Sequence, residues 1–153
     1  SGSREQVPFF FEDVDFDGKD ELVMVSFNSG QRWYNEYIVY KSNYKYGNMY
    51  NLVNTEPLSI IDQLSTFNKQ NRTIDVFSSG GACTNSNEKF KLVDGKYIAI
   101  EFTEWDYYVR DGVSVCVESI YTVIDDKRIL KSKSESYWDY EQAKQIELGT
   151  KYY

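Results

Sequence analysis

The sequence of 153 residues contains no histidine. Histidine is the commonest general base in enzymes and the commonest ligand of transition metals, so its absence excludes Ser-His-Asp and Cys-His catalytic sites and most zinc sites. The sequence also lacks any apolar run near the roughly 20 residues that span a bilayer, which predicts no transmembrane segment. These absences disfavour most enzyme classes, and we expect a protein that is not an enzyme.

Basic residues are scarce relative to acidic ones. The chain has 17 Lys and Arg against 24 Asp and Glu, which gives a formal net charge of −7. This charge disfavours nucleic acid as a partner and favours a cationic one. Aromatic residues make up 17% of the chain and can supply most of the buried area of a core.

Cysteine occurs only twice, at Cys83 and Cys116. Their separation does not match the Cys-x-x-Cys spacing of metal sites, and two cysteines permit only one intramolecular bridge. The alternatives are a Cys83–Cys116 disulfide and two buried free thiols.

Short segments rich in aromatic and β-branched residues, separated by turn residues, predict roughly eight to ten strands. Asp94-Gly95 suits a type I′ turn, and Arg110-Asp111-Gly112 suits a second turn. Only Leu58–Leu64 has helical spacing, and it predicts a short helix. Lys131–Ser136 is typical of an edge strand protected by charge, and Trp138–Glu147 of a helical turn or an irregular tail.

These patterns predict an all-β fold. We expect an antiparallel meander, vestigially propeller-like or barrel-like, with at most a short helix. No repeat or low-complexity linker divides the chain, so one β-rich domain is expected over residues 4–153. Ser1-Gly2-Ser3 is typical of a linker remnant, which is compatible with the earlier removal of an export or lipid-anchor signal.

The strongest functional signal is the acidic segment 13–21, which lies between two apolar segments. Carboxylates at alternate positions of a tight loop converge, and calcium binds six to eight such oxygens at about 2.3–2.6 Å. Gly18 stands where the loop needs a sharp turn. The predicted ligands are the carboxylates of Asp13, Asp15, Asp17 and Glu21 and the main-chain carbonyl of Lys19.

A complete EF-hand needs a bidentate Glu at position twelve and an exiting helix, but position twelve here is Met24 in a strand-like segment. The loop is therefore EF-hand-like, and the ion is expected to stabilise the fold. Closely packed carboxylates repel one another without a cation, which favours a bound ion over the alternative, a solvated acidic turn. Magnesium demands stricter octahedral geometry, so calcium is the expected cofactor.

Phe11–Leu22 resembles the Asp-x-Asp-x-Asp-Gly loops of FG-GAP and integrin-like β-propeller repeats. The chain resembles more closely a group of small bacterial periplasmic or lipid-anchored β proteins, which includes the periplasmic inhibitors of invertebrate-type lysozyme. In that group the loop is followed by a Leu-rich turn, a Gly-containing loop and a strand ending in Asp-Gly-Lys. The corresponding segments here are Leu58–Leu64, Ser79-Gly80-Gly81 and Phe90–Lys96.

The resemblance implies an all-β fold, an extracytoplasmic location (periplasmic, lipid-anchored or secreted) and binding to another protein. Inhibitory loops of lysozyme inhibitors carry Ser-Gly-x-Tyr, and the nearest match here is Ser79-Gly80-Gly81-Ala82, which lacks the aromatic residue. The first functional hypothesis is therefore a non-enzymatic envelope protein that binds a basic protein such as a lysozyme, with Ser79, Gly80 and Gly81 in a recognition loop. The alternative for this segment is a plain surface connection.

A second hypothesis is glycan binding, because several aromatic residues stand near carboxylates in the sequence. The candidate rings for stacking on sugar are Trp33, Trp105, Tyr107 and Trp138. The alternative is that these rings pack in a core. A third hypothesis is a retaining or inverting glycosidase that pairs Glu101 or Glu104 with Asp106 or Glu118.

Overall fold

The structure is a computed structural model that describes residues 8–26, 35–43 and 49–153. Trp33 lies outside these residues. The described part of the chain is all-β and has no helix, which confirms the predicted fold class. Its strands are β1 (Phe9–Glu12), β2 (Glu21–Ser26), β3 (Glu36–Asn43), β4 (Met49–Leu52), β5 (Thr66–Asn68), β6 (Thr73–Ser79), β7 (Asn85–Val93), β8 (Lys96–Arg110), β9 (Val113–Ile124), β10 (Lys127–Asp139) and β11 (Lys144–Tyr152).

The strands form two antiparallel sheets, and neither closes into a barrel. One sheet has the order β1-β2-β3-β4, and the other has the order β11-β10-β9-β8-β7-β6-β5. Every strand therefore neighbours the strand before or after it in the sequence. This is the predicted meander.

Contacts divide the chain into two compact units. Unit 1 comprises the described residues up to Val76 together with Leu92–Tyr97. Unit 2 comprises Phe77–Lys91 and Ile98–Tyr153. No break in composition marks this division in the sequence.

Unit 1 has a core of buried aliphatic side chains. Val23 of β2 pairs with Val39 of β3 and with Phe10 of β1, so these three side chains lie on the same face of the first sheet. Val23 and Val39 are almost fully buried. The other buried aliphatic residues of unit 1 are Val14, Leu58, Ile61, Ile74 and Val76.

The predicted short helix at Leu58–Leu64 is absent, and hydrogen-bonded turns take its place. Main-chain groups on both sides of Asp62 bond to the start of β3 and to the residue before it: Tyr37 N donates to Ile61 O at 3.1 Å, and Gln63 N donates to Asn35 O at 2.9 Å. These bonds use the groups that a helix would need for its own ladder. The apolar residues that suggest a helix pack in the core from these turns, since Leu58 and Ile61 are buried.

Two-residue turns connect β8 to its neighbours. Asp94 and Gly95, which join β7 to β8, have φ values of 50° and 74°; Asp111 and Gly112, which join β8 to β9, have 52° and 76°. Two successive positive φ values define a type I′ turn, whose twist matches that of the flanking strands. Both turns occur where the sequence predicts them.

The C-terminal strands differ from the prediction. Lys131–Ser136 belongs to β10, which pairs with β9 on one side and with β11 on the other, so it is not an edge strand. Trp138–Glu147 contains the end of β10, a turn and the start of β11. Asp139 organises that turn, since its Oδ1 accepts hydrogen bonds from the main-chain N–H groups of Glu141 and Gln142.

Cys83 and Cys116 form a disulfide within unit 2, with a Cα–Cα distance of 5.9 Å. The bridge connects the segment before β7 to β9 and closes a loop over a sequence separation of 33 residues. In the chain-entropy account, a loop of this length stabilises the folded state by roughly 3–4 kcal/mol, because it restricts the unfolded chain.

We expect reduction of the bridge to lower the thermal unfolding midpoint by about 10 °C. Calorimetry of the oxidised protein with and without dithiothreitol measures this change. The C83S/C116S variant is the control, because it should melt at the lower temperature and show no response to the reductant. Equal midpoints for the oxidised and reduced wild-type protein would contradict the stabilising role.

Candidate functional site: the acidic loop

The loop between β1 and β2 wraps its backbone around the carboxylate of Asp13. Main-chain N–H groups donate to this carboxylate from Asp17, at 3.1 Å to Oδ1, and from Gly18, at 2.9 Å to Oδ2. Gly18 has a φ of 86°, a conformation that favours glycine. The sharp turn predicted at Gly18 is therefore present, and the chain folds back toward the start of the loop.

Glu21 is the buried carboxylate of the loop, with only 2% of its surface exposed. Its Oε2 accepts a hydrogen bond from the main-chain N–H of Val14 at 2.9 Å. Burial raises the pKa of Glu21 to about 7, and the charges of Asp15 and Asp17 act in the same direction, while the bond from Val14 acts against them. The fold thus holds a carboxyl group where its charge is unfavourable without a cation.

Asp13, Asp15 and Glu21 each place a carboxylate oxygen within 4.8 Å of the other two. Oxygens that share one metal ion at about 2.3–2.6 Å lie within about 5 Å of one another, so these three residues are spaced closely enough to hold one metal ion. Asp17 is outside the set, and its Oδ1 accepts from the main-chain N–H of Lys19 at 2.8 Å. Ligation by the Lys19 carbonyl stays a prediction.

A lysine from the neighbouring strand faces the loop. The Lys41 ammonium group pairs with Asp15 Oδ2 and lies 3.0 Å from Asp17 Oδ2. Burial lowers the pKa of Lys41, but the two hydrogen bonds outweigh it and raise the pKa. Burial would raise the pKa of Asp17, but Lys41 holds it below its usual value. The loop carboxylates are therefore placed to hold a positive charge.

Tyr97 supports the loop from β8. Its hydroxyl donates to the carbonyl of Val14 at 3.2 Å, and its ring lies 6.4 Å from that of Phe16. Burial and the charges of the loop carboxylates raise the pKa of Tyr97. Neither Lys41 nor Tyr97 is found by sequence reasoning, because 26 residues separate Lys41 from Asp15 and 83 separate Tyr97 from Val14.

The predicted recognition segment is a tight turn in unit 2. Ser79 ends β6, and the Gly80 N–H donates to Thr84 O at 2.7 Å. A Cβ at Gly80 would lie 2.8 Å from Thr84 O, and Gly81 has a φ of 136°, so both positions favour glycine. Cys83 then ties the turn to β9. Residues 80–84 form the whole connection between β6 and β7.

The structure brings together three of the aromatic residues considered for sugar stacking. Trp105 and Tyr107 lie two residues apart on β8 and so project from one face of the second sheet. Tyr107 pairs with Cys116 on β9, and Cys116 pairs with Ser136 on β10, so all three residues lie on the same face. Trp138 follows Ser136 by two residues and shares the face, which we call the ring face.

The register divides the four candidate glycosidase carboxylates between the two faces of the second sheet. Glu118 pairs with Trp105 and lies on the ring face, and Glu101 shares it because it is four residues from Trp105. Glu104 and Asp106 alternate with these residues and lie on the opposite face. Of the four candidate pairs, Glu101 with Glu118 and Glu104 with Asp106 share a face, and the other two pairs lie on opposite faces.

A comparison of the chain with models of protein families, with curated proteins and with solved structures found no match. Within the described ranges, no helix has the length and apolar character that a membrane crossing requires.

The raised pKa of Glu21 predicts a pH-dependent stability in the presence of a chelator. A carboxyl whose pKa is about 7 in the folded state and 4.5 otherwise favours folding while protonated. This contribution is complete below pH 4.5 and is lost as the pH rises to about 7, a change of roughly 3 kcal/mol at about 1.4 kcal/mol per pKa unit.

We therefore expect Glu21→Gln to melt increasingly above the wild-type protein as the pH rises from 4.5 to 7, since Gln keeps the acceptor for Val14 without the charge. The exposed Glu12→Gln is the control and should track the wild-type protein. Parallel pH profiles of the thermal midpoint for Glu21→Gln and wild type would show that the buried charge does not lower the free energy of unfolding.

Proposed function

We propose that this chain is a non-enzymatic binding protein of the bacterial cell envelope and that a calcium ion on the acidic loop stabilises its fold. The observation that carries the metal part is the convergence of oxygens from Asp13, Asp15 and Glu21 within 4.8 Å. The ion would hold the β1–β2 connection in place and relieve the cost of burying Glu21.

The position of Lys41 also supports a cation site at the loop. Its ammonium group is a tethered cation on Asp15 and Asp17, so one positive charge offsets part of the negative charge of the loop. A calcium ion carries two charges and is bound by several oxygens at once, so it can displace the ammonium group from Asp15. In this arrangement Lys41 competes with the ion and keeps the ion-free loop folded.

Charge and redox chemistry support the binding role and the location. A formal charge of −7 steers the protein toward basic partners, among which a lysozyme is the candidate that the family resemblance implies. Disulfides persist in extracytoplasmic compartments, and the Cys83–Cys116 bridge accords with one of these. The fixed turn at Ser79-Gly80-Gly81 is the proposed contact with the partner.

Calcium should raise the thermal midpoint of the wild-type protein relative to a chelator by about 5–10 °C, since an ion at 100 times its dissociation constant stabilises by about 2.7 kcal/mol. Asp15→Asn should lose most of this shift, because it removes one charge from the converging oxygens. Differential scanning fluorimetry in calcium and in EDTA measures both values.

Asp20→Asn is the matched control for this experiment. It removes the same charge from the same loop, but Asp20 is exposed and lies outside the oxygen set, so the shift should persist. Lys41→Gln should show a larger calcium shift, because the competing ammonium group is gone. An unchanged wild-type midpoint in calcium and EDTA would remove the metal from the proposal.

The lysozyme proposal predicts that a molar excess of this protein lowers the turnover of a basic invertebrate-type lysozyme. The inhibition should weaken as salt rises toward about 0.5 M, because screening shortens the range of the attraction. A cell-wall lysis assay measures the rate, with Gly80→Ala as the variant that distorts the contact turn. Undiminished lysozyme activity at molar excess would exclude this partner.

A further inference from the structure

Unit 2 contains a pocket on the ring face of β8–β11, with a volume of about 290 Å³. A bulge helps to shape it: Glu135 pairs with Gly149 and Ser136 pairs with Glu147, so Leu148 is an extra residue on β11. A bulge bends its strand and increases the local twist. The pocket is lined by Trp105, Cys116, Glu118, Ser134, Glu135, Ser136, Gln145, Glu147, Gly149 and Thr150.

Side chains of the pocket are fixed by hydrogen bonds across neighbouring strands. The Trp105 indole N–H donates to Glu118 Oε2 at 2.7 Å, which sets the orientation of the ring. Gln145 Nε2 donates to Ser136 Oγ at 2.6 Å. Carboxylates, amides and hydroxyls each have more than one donor or acceptor site, so these groups can also bond to ligand hydroxyls.

Two exposed aromatic rings lie beside residues that line the pocket: Tyr107 pairs with Cys116, and Trp138 pairs with Gln145. Tyr107 on β8 is 54% exposed, and Trp138 on β10 is 50% exposed. Both lie on the ring face with Trp105. Exposed rings of this size cost free energy in water unless a ligand covers them, and their flat faces suit stacking on the C–H groups of a pyranose ring.

The charge of the pocket excludes acidic ligands. Among the described residues that line it, two glutamates, Glu118 and Glu147, lie on the ring face, and there is no lysine or arginine. Glu135 also lines the pocket, but its carboxylate lies on the opposite face, where it pairs with Tyr108 and Arg110. By the strand register, Lys133, Lys144 and Lys151 of β10 and β11 lie on the opposite face of the sheet. Uronic or sialic acids would therefore meet negative charge without a basic partner.

From these features we propose that the ring face of unit 2 binds a neutral oligosaccharide, with the sugar hydroxyls on Glu118 and Gln145 and sugar rings on Trp105, Tyr107 and Trp138. This site is separate from the acidic loop and adds a second ligand to the proposed function.

The ligand is an oligosaccharide because of the distance between the two exposed rings. Tyr107 and Trp138 lie on strands β8 and β10, which are two strand spacings apart, or about 9.6 Å. They are also offset along the strands, since Tyr107 is in register with Ser136 and not with Trp138. One pyranose ring does not bridge this separation, so at least two linked sugars are needed to contact both rings.

Isothermal titration calorimetry of the full chain in calcium tests the site. The probes are neutral cello- and chito-oligosaccharides, acidic oligogalacturonate, and spermine as a cation. We expect a neutral oligosaccharide to bind, longer oligomers to bind more tightly than the monosaccharide, and oligogalacturonate not to bind. Trp138→Ala and Tyr107→Ala should each weaken binding by about tenfold through loss of stacking.

Tyr140→Ala is the matched control, because Tyr140 is 88% exposed in the β10–β11 turn and is not among the pocket residues. It should bind as the wild-type protein does. Any one of three results would overturn the proposal: no binding on a broad array of neutral glycans, binding of spermine in place of sugar, or wild-type sugar affinity in Trp138→Ala. Asp15→Asn should still bind sugar, so a failure of the calcium proposal is distinguishable from a failure of this one.

Discussion

Asp13, Asp15 and Glu21 hold carboxylate oxygens within 4.8 Å of one another, and the repulsion among these charges must be balanced for unit 1 to keep its fold. The loop provides part of the balance with main-chain N–H groups, which donate to Asp13 and Glu21. The Lys41 ammonium group provides a further part through Asp15 and Asp17. Because Lys41 is on β3, the balance of charge also ties the β1–β2 connection to the neighbouring strand.

Turn chemistry is the part of the fold that the sequence predicts best. Asp94-Gly95 and Asp111-Gly112 carry residues that tolerate positive φ, and this requirement is local. Prediction fails where distant strands decide the structure. Leu58–Leu64 has helical spacing, but its main chain bonds to the start of β3 and to the residue before it. Likewise, the charges of Lys131–Ser136 suit an edge strand, yet β11 pairs with β10 along most of its length.

The same distinction applies to the candidate sites. Asp13, Asp15 and Glu21 lie within nine residues of sequence, so their convergence can be predicted from alternation in a tight loop. Lys41 reaches the loop only through the register of β2 with β3, which a single sequence does not specify. The ring face depends on the registers of β8, β9 and β10, so the sequence names its aromatic residues but does not place them on one face.

The bridge between Cys83 and Cys116 also determines how the chain would carry mechanical tension. If the two ends were pulled apart, force would pass from the segment before β7 directly to β9 through the sulfur atoms, and β7 and β8 would lie outside the loaded path. At about 3.4 Å per extended residue, the bridge withholds roughly 110 Å of contour length. Trp105 and Tyr107 belong to this shielded part, whereas Trp138 lies in the part that bears the load.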